Sequence, residues 1–263
     1  EKPAAVRAFS EILKVSDGIM VARGDLGVEL PVHSVPPIQK RLVRACRAAA
    51  KPVIVATQML ESMIESPMPT RAEVSDVATA IYEGTDAIML SAESAAGAYP
   101  IEAVTTMDNV ARSVESDPTY RDIIESSRSA RRQTVADGIV AAAREIAETT
   151  DIAAICAFTS SGTTVSLVAR ERPRVPIIAM TAEQATLRRL CLTWGAHCVL
   201  TPELARFKQA VVTAAKAARD FGFADETNQI VVMAGVPFNV PGTTNILRIA
   251  PCDERLIYRT DPE

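Results

Sequence analysis

Residues 18–31 read GIMVARGDLGVELP, and no other stretch of the chain predicts as much about its fold. An uninterrupted apolar run at residues 18–22 ends abruptly in Arg23, Gly24 and Asp25. A short apolar run without polar alternation is typical of a strand that is buried on both faces of a parallel sheet. The residues from 23 onward predict the end of that strand and the start of a loop.

The same pattern recurs twice before residue 116. Strands are predicted at residues 53–56 and 86–90, and helical apolar spacing occurs at about 3–14, 36–50, 71–83 and 100–115. This alternation favours an α/β fold with a parallel sheet covered by helices. Three strands cannot close a (β/α)8 barrel, so we expect residues 1–116 to be the last strands and helices of a TIM-type barrel.

A second α/β pattern follows a polar stretch at residues 116–131, which we interpret as a linker or irregular helix. Strands are predicted at residues 153–158, 176–180, 197–200, 230–233 and about 245–249, with helices at about 134–149, 183–193 and 202–220. Residues 132–263 are therefore expected to form a smaller α/β domain with a mostly parallel five-stranded sheet.

Composition argues against several classes of function. The net charge of −4 and an aromatic content of 4% disfavour nucleic-acid binding, which usually requires a basic face and stacking side chains. No apolar run approaches the roughly 18 residues that cross a bilayer, so no membrane partner is expected. Five cysteines without CxxC spacing indicate reduced thiols in a cytoplasmic protein.

The strand ends supply the first candidate site residues. Asp25 either forms a surface ion pair with Arg23 or is a hard oxygen ligand of a divalent cation, with Gly24 allowing close approach to the backbone. Glu1 stands where a preceding barrel strand would end, so Glu1 and Asp25 would occupy adjacent strand tips. Thr57 and Ser91 follow the next two strands; each either caps backbone or contacts a substrate, and Thr57 could also relay a proton.

A second candidate site lies in the other half of the chain, between a predicted strand and a predicted helix. Backbone N–H groups and hydroxyls at a helix N-terminus can hold a phosphate, but a hydroxyl-rich turn that merely caps the helix is equally consistent with the spacing. The residues concerned are Thr159, Ser160, Ser161, Gly162, Thr163 and Thr164.

Three stretches together resemble the pyruvate kinase family. They are GIMVARGDLGVELP at 18–31, KPVIVATQMLESMIESPMPTRAEVSDVATAIYEGTDAIMLSAESAAGAYPIEAV at 51–104, and VVMAGVPFNVPGTTNILRI at 231–249. The resemblance implies that Glu1 and Asp25 bind Mg²⁺ (or Mn²⁺). It also implies that Gly24, Asp25 and Thr57 contact phosphoenolpyruvate or pyruvate. Thr57 would lie near the proton delivered to the enolate, with Arg23 and Ser91 as active-site neighbours.

The same resemblance implies the parent reaction, phosphoenolpyruvate plus ADP to pyruvate plus ATP, with K⁺ as a further cofactor and a homotetramer as the assembly. It implies a phosphorylated allosteric effector at residues 159–164, assisted by a loop at residues 237–244. The identity of this effector stays open. Trp194 does not match the family's tryptophan for a sugar bisphosphate, and the segment concerned offers only Arg206 and Lys208.

Members of the family carry a lysine two residues before the position of Glu1, and a first barrel half with a lid domain. This sequence contains neither, so we expect it to be a C-terminal fragment that is inactive in isolation. Two alternatives remain open. One is a non-catalytic regulatory module that binds a phosphorylated effector; the other is a Mg²⁺-dependent barrel lyase acting on pyruvate-like acids.

Overall fold

The computed structural model describes residues 1–128, 134–204, 206–238 and 243–260, and the chain divides into two compact units, Glu1–Ser129 and Ala130–Glu263. The helices are α1 Pro3–Arg7, α2 Phe9–Val15, α3 Arg23–Glu29, α4 Val35–Ala48, α5 Arg71–Tyr82, α6 Ala92–Ala95, α7 Pro100–Ser116, α8 Pro118–Ser126, α9 Val135–Thr149, α10 Thr163–Glu171, α11 Gln184–Leu190, α12 Phe207–Asp220 and α13 Glu254–Thr260. The strands are β1 Ile19–Ala22, β2 Val53–Ala56, β3 Ala87–Met89, β4 Ile152–Phe158, β5 Ile177–Thr181, β6 Ala196–Leu200, β7 Gln229–Gly235 and β8 Thr244–Pro251.

The first unit is built on the parallel sheet β1-β2-β3, as the continuous apolar runs predicted. Ile19 lies opposite Val53, and Ile54 opposite Ala87, so the three strands run in register. Helices α4, α5 and α7 contribute buried apolar side chains to one continuous core with β1 and β2. The prediction of an α/β unit with a parallel sheet is therefore confirmed here.

The second unit contains the five-stranded sheet β6-β5-β4-β7-β8. The pairs among β4, β5, β6 and β7 are parallel, and only β8 runs antiparallel to β7. One core lies against α12, where small residues such as Ala210 and Ala214 let the helix approach the sheet. The opposite core contains α9 and α10. The predicted mostly parallel five-stranded sheet is confirmed.

The prediction of a loop directly after β1 is wrong, because α3 begins at Arg23. The first N–H groups of a helix have no carbonyl of their own helix to bind. In α3 the Thr57 Oγ1 accepts a hydrogen bond from the Gly24 N–H at 2.8 Å, and Leu26 packs into the core. A contact from the next strand thus stabilises a helix that the glycine-rich sequence does not favour.

Three further segments differ from the prediction. The polar stretch at 116–131 contains α8, which begins where Asp117 accepts a hydrogen bond from the Thr119 N–H and which buries Tyr120 and Ile124; residues 129–133 lie outside the described residues. The helix predicted from residue 202 begins only at Phe207. The final helix, α13, was not predicted at all.

Candidate functional site

The carboxyl ends of β1, β2 and β3 meet at one edge of the first sheet, because the three strands are parallel neighbours. Arg23, Gly24 and Asp25 follow β1, Thr57 follows β2, and Ser91 follows β3 by two residues. This edge is where parallel α/β folds hold their active sites. The fold therefore brings the predicted residues of three separate sequence segments to a common edge.

Thr57 has a strained backbone at this edge. Its φ of 71° lies in the left-handed region, which a β-branched residue rarely adopts, and Gln58 follows with a φ of 52°. The Thr57 hydroxyl donates to the Ala56 carbonyl at 2.6 Å and accepts from the Gly24 N–H at 2.8 Å. Thr57 thus caps backbone, as one of the two alternatives predicted. Strain of this kind is concentrated at functional sites in proteins.

Arg23 fastens the end of β1 to its surroundings. Its guanidinium forms an ion pair with Asp76 on α5 at 2.6 Å and donates to the carbonyls of Thr57 at 2.7 Å and Ala56 at 3.3 Å. The alternative in which Arg23 pairs with Asp25 is therefore wrong. The carbonyls at the end of β2 and the Asp76 carboxylate bind different N–H groups of the same guanidinium, and Asp25 remains an exposed carboxylate.

The charges of Glu1 and Asp25 both act on the exposed ammonium group of Lys2. Lys2 forms an ion pair with Glu29. The pKa of Lys2 is raised first by its hydrogen bond with Glu29 and by the charge of Glu29, and then by the charges of Glu1 and Asp25. Both carboxylates therefore act on one exposed ammonium group.

The Mg²⁺ site expected from the sequence can be compared with the carboxylates that the structure provides. Within residues 1–128, 134–204, 206–238 and 243–260, no group of three or more His, Cys, Asp or Glu side chains is arranged to hold a metal ion. Mg²⁺ commonly takes only one or two protein carboxylates and fills its other positions with water and substrate oxygens. Glu1 and Asp25 are two carboxylates, which is the type and number of protein donors that this smaller set uses.

Sequence reasoning did not assign a role to Glu93, which organises the third strand end. Its side chain is buried, with 2% of the residue exposed, and its carboxylate accepts from the Ser91 N–H at 2.7 Å and the Leu60 N–H at 3.2 Å. Glu93 therefore ties the segment after Thr57 to the end of β3, while Ser91 itself is exposed. The sequence signal that could have identified this role is the glutamate that ends Ser-Ala-Glu at 91–93, directly after a predicted strand.

A cavity of about 420 Å³ opens beside Arg23 and Gly24. At its wall, Gln39 donates a hydrogen bond to Glu83 at 2.9 Å. Burial raises the pKa of Glu83, and the hydrogen bond from Gln39 opposes that rise. The remaining lining residues are Gly27, Val32, Val35, Pro36, Gln58, Asp76 and Thr79. The cavity thus combines an apolar wall with amide and carboxylate groups.

The candidate loop of the second unit joins β4 to α10. Gly162 is the residue before α10 and has a φ of 91°, which only glycine adopts without strain. Thr159 Oγ1 accepts from the Gly162 N–H at 2.8 Å, and the hydroxyls of Ser161 and Thr163 lie 2.9 Å apart. The loop therefore presents hydroxyls and a helix N-terminus at the carboxyl end of β4.

Two of this loop's contacts were not predicted. The Thr164 side chain is buried and lies 2.6 Å from the Thr244 hydroxyl of β8, so Thr164 joins the loop to the sheet. Arg189 on α11 donates to the Ser161 carbonyl at 2.5 Å, which brings a guanidinium to the loop. Residues 239–242, within the assisting loop predicted at 237–244, lie outside the described residues.

Among the described residues, no helix is both long and apolar enough to cross a bilayer.

Comparison with known proteins adds relatives for both units. Residues 1–104 match the family model described as pyruvate kinase, barrel domain, and residues 137–250 match pyruvate kinase, alpha/beta domain. The chain is 52% identical over 250 residues to a pyruvate kinase of Methylorubrum extorquens, covering 95% of this chain and 52% of the relative. It is 50% identical over 249 residues to one of Agrobacterium vitis, with the same coverage of both chains.

A solved structure has the same fold. The crystal structure of a pyruvate kinase from Cryptosporidium parvum superposes with a TM-score of 0.86 at 34% sequence identity, covering 94% of this chain and 49% of that chain. The chain therefore spans about half the length of the curated relatives and of the solved structure that it matches.

Proposed function

The chain belongs to the pyruvate kinase family, and we propose that it is part of an enzyme that converts phosphoenolpyruvate and ADP to pyruvate and ATP. The observation that carries this proposal is the hydrogen bond between the Gly24 N–H and Thr57 Oγ1. It joins the ends of β1 and β2 beside the exposed carboxylate of Asp25. A backbone amide, a hydroxyl and a carboxylate thus converge on one strand edge.

This arrangement suits phosphoryl transfer. Such reactions need little covalent help from the protein; they need cations that offset oxyanion charge and groups that hold the reactants in line. Glu1 and Asp25 would hold Mg²⁺ (or Mn²⁺), which when bound offsets negative charge on the phosphoryl group and the enolate. Arg23, being anchored to Asp76, keeps Gly24 and Asp25 at the strand end.

Thr57 is proposed to act on the acid left after transfer. Its hydroxyl is held by two backbone groups, so its position at the strand edge is fixed before a substrate binds. A hydroxyl held at this position can orient the enolate or relay a proton to its carbon once its O–H turns from the Ala56 carbonyl toward the substrate. Gly24 would leave room for the substrate, and exposed Ser91 would line the same edge.

The larger assembly is also part of the proposal. Three parallel strands are fewer than the eight of a closed barrel, and the chain spans about half of its relatives. Both observations support a role as the C-terminal part of a longer enzyme that completes the barrel. K⁺ and a homotetramer are proposed from the family resemblance alone.

For the second unit, we propose that the loop at residues 159–164 binds a phosphorylated effector. Support comes from the exposed Thr163 at the start of α10, from the hydroxyl of Ser161, and from Arg189 beside the loop. Helix N-termini and arginine side chains are the groups that recognise phosphate in proteins. Thr164 would act indirectly, since its hydroxyl is engaged with Thr244.

Two aspartates at opposite ends of β1 provide the test. Asp17 precedes the strand and Asp25 follows it, and both are exposed. In the longest polypeptide that contains this chain, Asp25→Asn should lower pyruvate formation at saturating Mg²⁺ by at least about 100-fold, because charge complementary to the cation is lost. Asp17→Asn should leave it unchanged. A lactate-dehydrogenase-coupled assay measures both, and equal rates for the two variants would contradict the proposal.

A further inference from the structure

Two of the five cysteines lie at the same edge of the second sheet. Cys191 is exposed and follows the last residue of α11, and Cys198 is half-buried on β6, the edge strand of the sheet. The other three cysteines (Cys46, Cys156 and Cys252) are buried, and all five thiols are free. A reagent in solution therefore reaches the pair at residues 191 and 198 before it reaches the others.

The chain reverses direction between the two cysteines. The Thr193 N–H donates to the Leu190 carbonyl at 2.9 Å, and the Ala196 N–H donates to the Thr193 carbonyl at 3.3 Å. These bonds turn the chain from the end of α11 into β6. Only a short, hydrogen-bonded turn thus separates the two sulfur-bearing residues.

The side chains on β6 confirm that Cys198 faces this turn. Cys198 packs against the same apolar cluster as Leu190 and Trp194. Its neighbour His197 lies on the other face, where its ring stacks edge-on against Phe223. Successive strand residues point to opposite faces, so Cys198 is directed toward α11, where the Cys191 thiol donates to the Leu187 carbonyl at 3.4 Å.

The two sulfurs differ in their surroundings. Burial, followed by the charge of Cys191 and the hydrogen bond with it, raises the pKa of Cys198 to about 12. Cys198 therefore keeps its proton, and the exposed Cys191 is the sulfur that meets a reagent first. Cys191 is therefore the thiol that attacks an incoming disulfide, and Cys198 is the thiol that then resolves the mixed disulfide. Thiol–disulfide exchange proceeds in that order.

We propose that Cys191 and Cys198 form a dithiol modification site that reacts with low-molecular-weight disulfides and closes to an intramolecular disulfide. In the first step the Cys191 thiol loses its proton, its sulfur attacks one sulfur of a disulfide RS–SR, the S–S bond of the reagent breaks as the mixed disulfide forms, and the RS⁻ that leaves takes up a proton. In the second step the Cys198 sulfur loses its proton, attacks the Cys191 sulfur and releases the second RS⁻. The two cysteines are oxidised, and RS–SR is reduced to two RSH.

Closure would act on more than the two cysteines. Helix α11 also carries Thr186, which donates to the Ser160 carbonyl at 2.8 Å, and Arg189, which donates to the Ser161 carbonyl. A covalent bond between the end of α11 and β6 would therefore restrain the helix that holds the candidate effector loop. This consequence rests on the function proposed for that loop; the disulfide itself does not.

The experiment treats the reduced full chain with glutathione disulfide under native conditions and follows its mass and peptide map. We expect a transient glutathione adduct on Cys191, then a species lighter than the reduced chain by two hydrogens, with residues 191 and 198 linked. Cys198→Ser should stop at the adduct, and Cys191→Ser should remain unmodified. Trp194, the only tryptophan, lies between the two cysteines, so its fluorescence should change on closure in the wild type alone.

Three results would overturn the proposal: an adduct that never closes, reaction of Cys191→Ser at the wild-type rate, or labelling of Cys46, Cys156 and Cys252 as fast as the pair. Persistent protection of those buried thiols checks that each variant is folded. Should a serine variant unfold, the wild-type peptide map decides alone, since a linkage other than 191 to 198 contradicts the assignment. Effector binding is not needed for any of these readouts.

Discussion

The end of β1 in the first unit and the end of β4 in the second unit have the same local architecture. In each, a parallel strand runs into a helix, and an Arg–Asp ion pair fastens that helix to a neighbour. Arg23 of α3 binds Asp76 at 2.6 Å, and Arg170 of α10 binds Asp137 of α9 at 2.6 Å. The exposure of the two pairs differs: the Asp76 side chain is 37% exposed, whereas that of Asp137 is 4% exposed.

This difference in exposure suits the two kinds of site that we propose. At β1 the ion pair lines an open cavity, and Asp25 stands exposed beside it, so negative charge is available to a cation. In the second unit the Asp137 and Glu171 carboxylates are buried against Arg170 in the last turn of α10, and the loop after β4 presents hydroxyls and a helix N-terminus, which suit an anion. The exposed acid favours a cation at the first strand end, and the absence of any acid from the sequence at residues 159–164 favours an anion at the second.

The largest effect should come from removing the buried acid. Asp137→Asn removes the shorter of two buried carboxylate contacts of Arg170 and leaves Glu171 at 3.2 Å, so it should cost about 3 kcal/mol of unfolding free energy. Asp76→Asn, made at the half-exposed pair, should cost about 1 kcal/mol because water screens the charge. Urea denaturation of the full chain measures both. Equal costs would mean that the two pairs do not differ as their exposure indicates.

Thr57 offers the next test, because its hydroxyl joins the ends of β1 and β2 and so tests the first strand edge alone. Thr57→Val keeps the shape but removes the acceptor for the Gly24 N–H and should lower pyruvate formation by about 100-fold. Thr57→Ser keeps the hydroxyl and should stay near the wild-type rate. The coupled assay is run on the longest polypeptide that contains the chain. A valine variant as active as the serine variant would remove Thr57 from the chemistry.

Two glycines sharpen the comparison at β4. Gly162→Ala should destabilise the second unit by about 1–2 kcal/mol, because a φ of 91° disfavours any side chain. The new Cβ would also lie 3.3 Å from the Leu190 side chain. Gly138→Ala, within α9, meets no atom within 4 Å and should stabilise by up to about 1 kcal/mol. Thermal unfolding should therefore shift in opposite directions, and shifts of the same sign would contradict the left-handed turn.

The smallest effect concerns the segment after Thr57. Desolvation raises the pKa of Glu73, but hydrogen bonds from Ser62 and Thr70 outweigh it and lower the pKa below its ordinary value. The stabilisation is therefore present above the ordinary carboxyl pKa and is lost as pH falls through the lowered one. Glu73→Gln should cost less than about 1 kcal/mol near neutral pH and nothing in acid.

Exposed Glu61 provides the matched control for that measurement. Urea unfolding of Glu61→Gln should follow the wild type at both pH values. A Glu73→Gln deficit that persists unchanged in acid would show that shape, and not charge, holds the segment.

The strands of both units were predictable because a buried parallel strand needs an uninterrupted apolar run, and such runs are visible in the sequence. β2 falls on the predicted residues, and the sheet of the second unit has the predicted number of strands. Helix ends were less predictable. The polar segment at 116–131 contains α8 because Tyr120 and Ile124 pack into the core of the first unit, and local composition does not reveal that contact.

The residue types at the strand ends, and hence the candidate site at Arg23, Gly24 and Asp25, could be read from the order of amino acids. Their partners could not. Arg23 binds Asp76, 53 residues away, and Thr164 binds Thr244, 80 residues away. Apolar periodicity acts between near neighbours in the chain, whereas an ion pair or hydroxyl contact depends on which distant segment the packed core brings within reach. The tertiary structure therefore decided that Asp25 stays open to solvent while Thr164 does not.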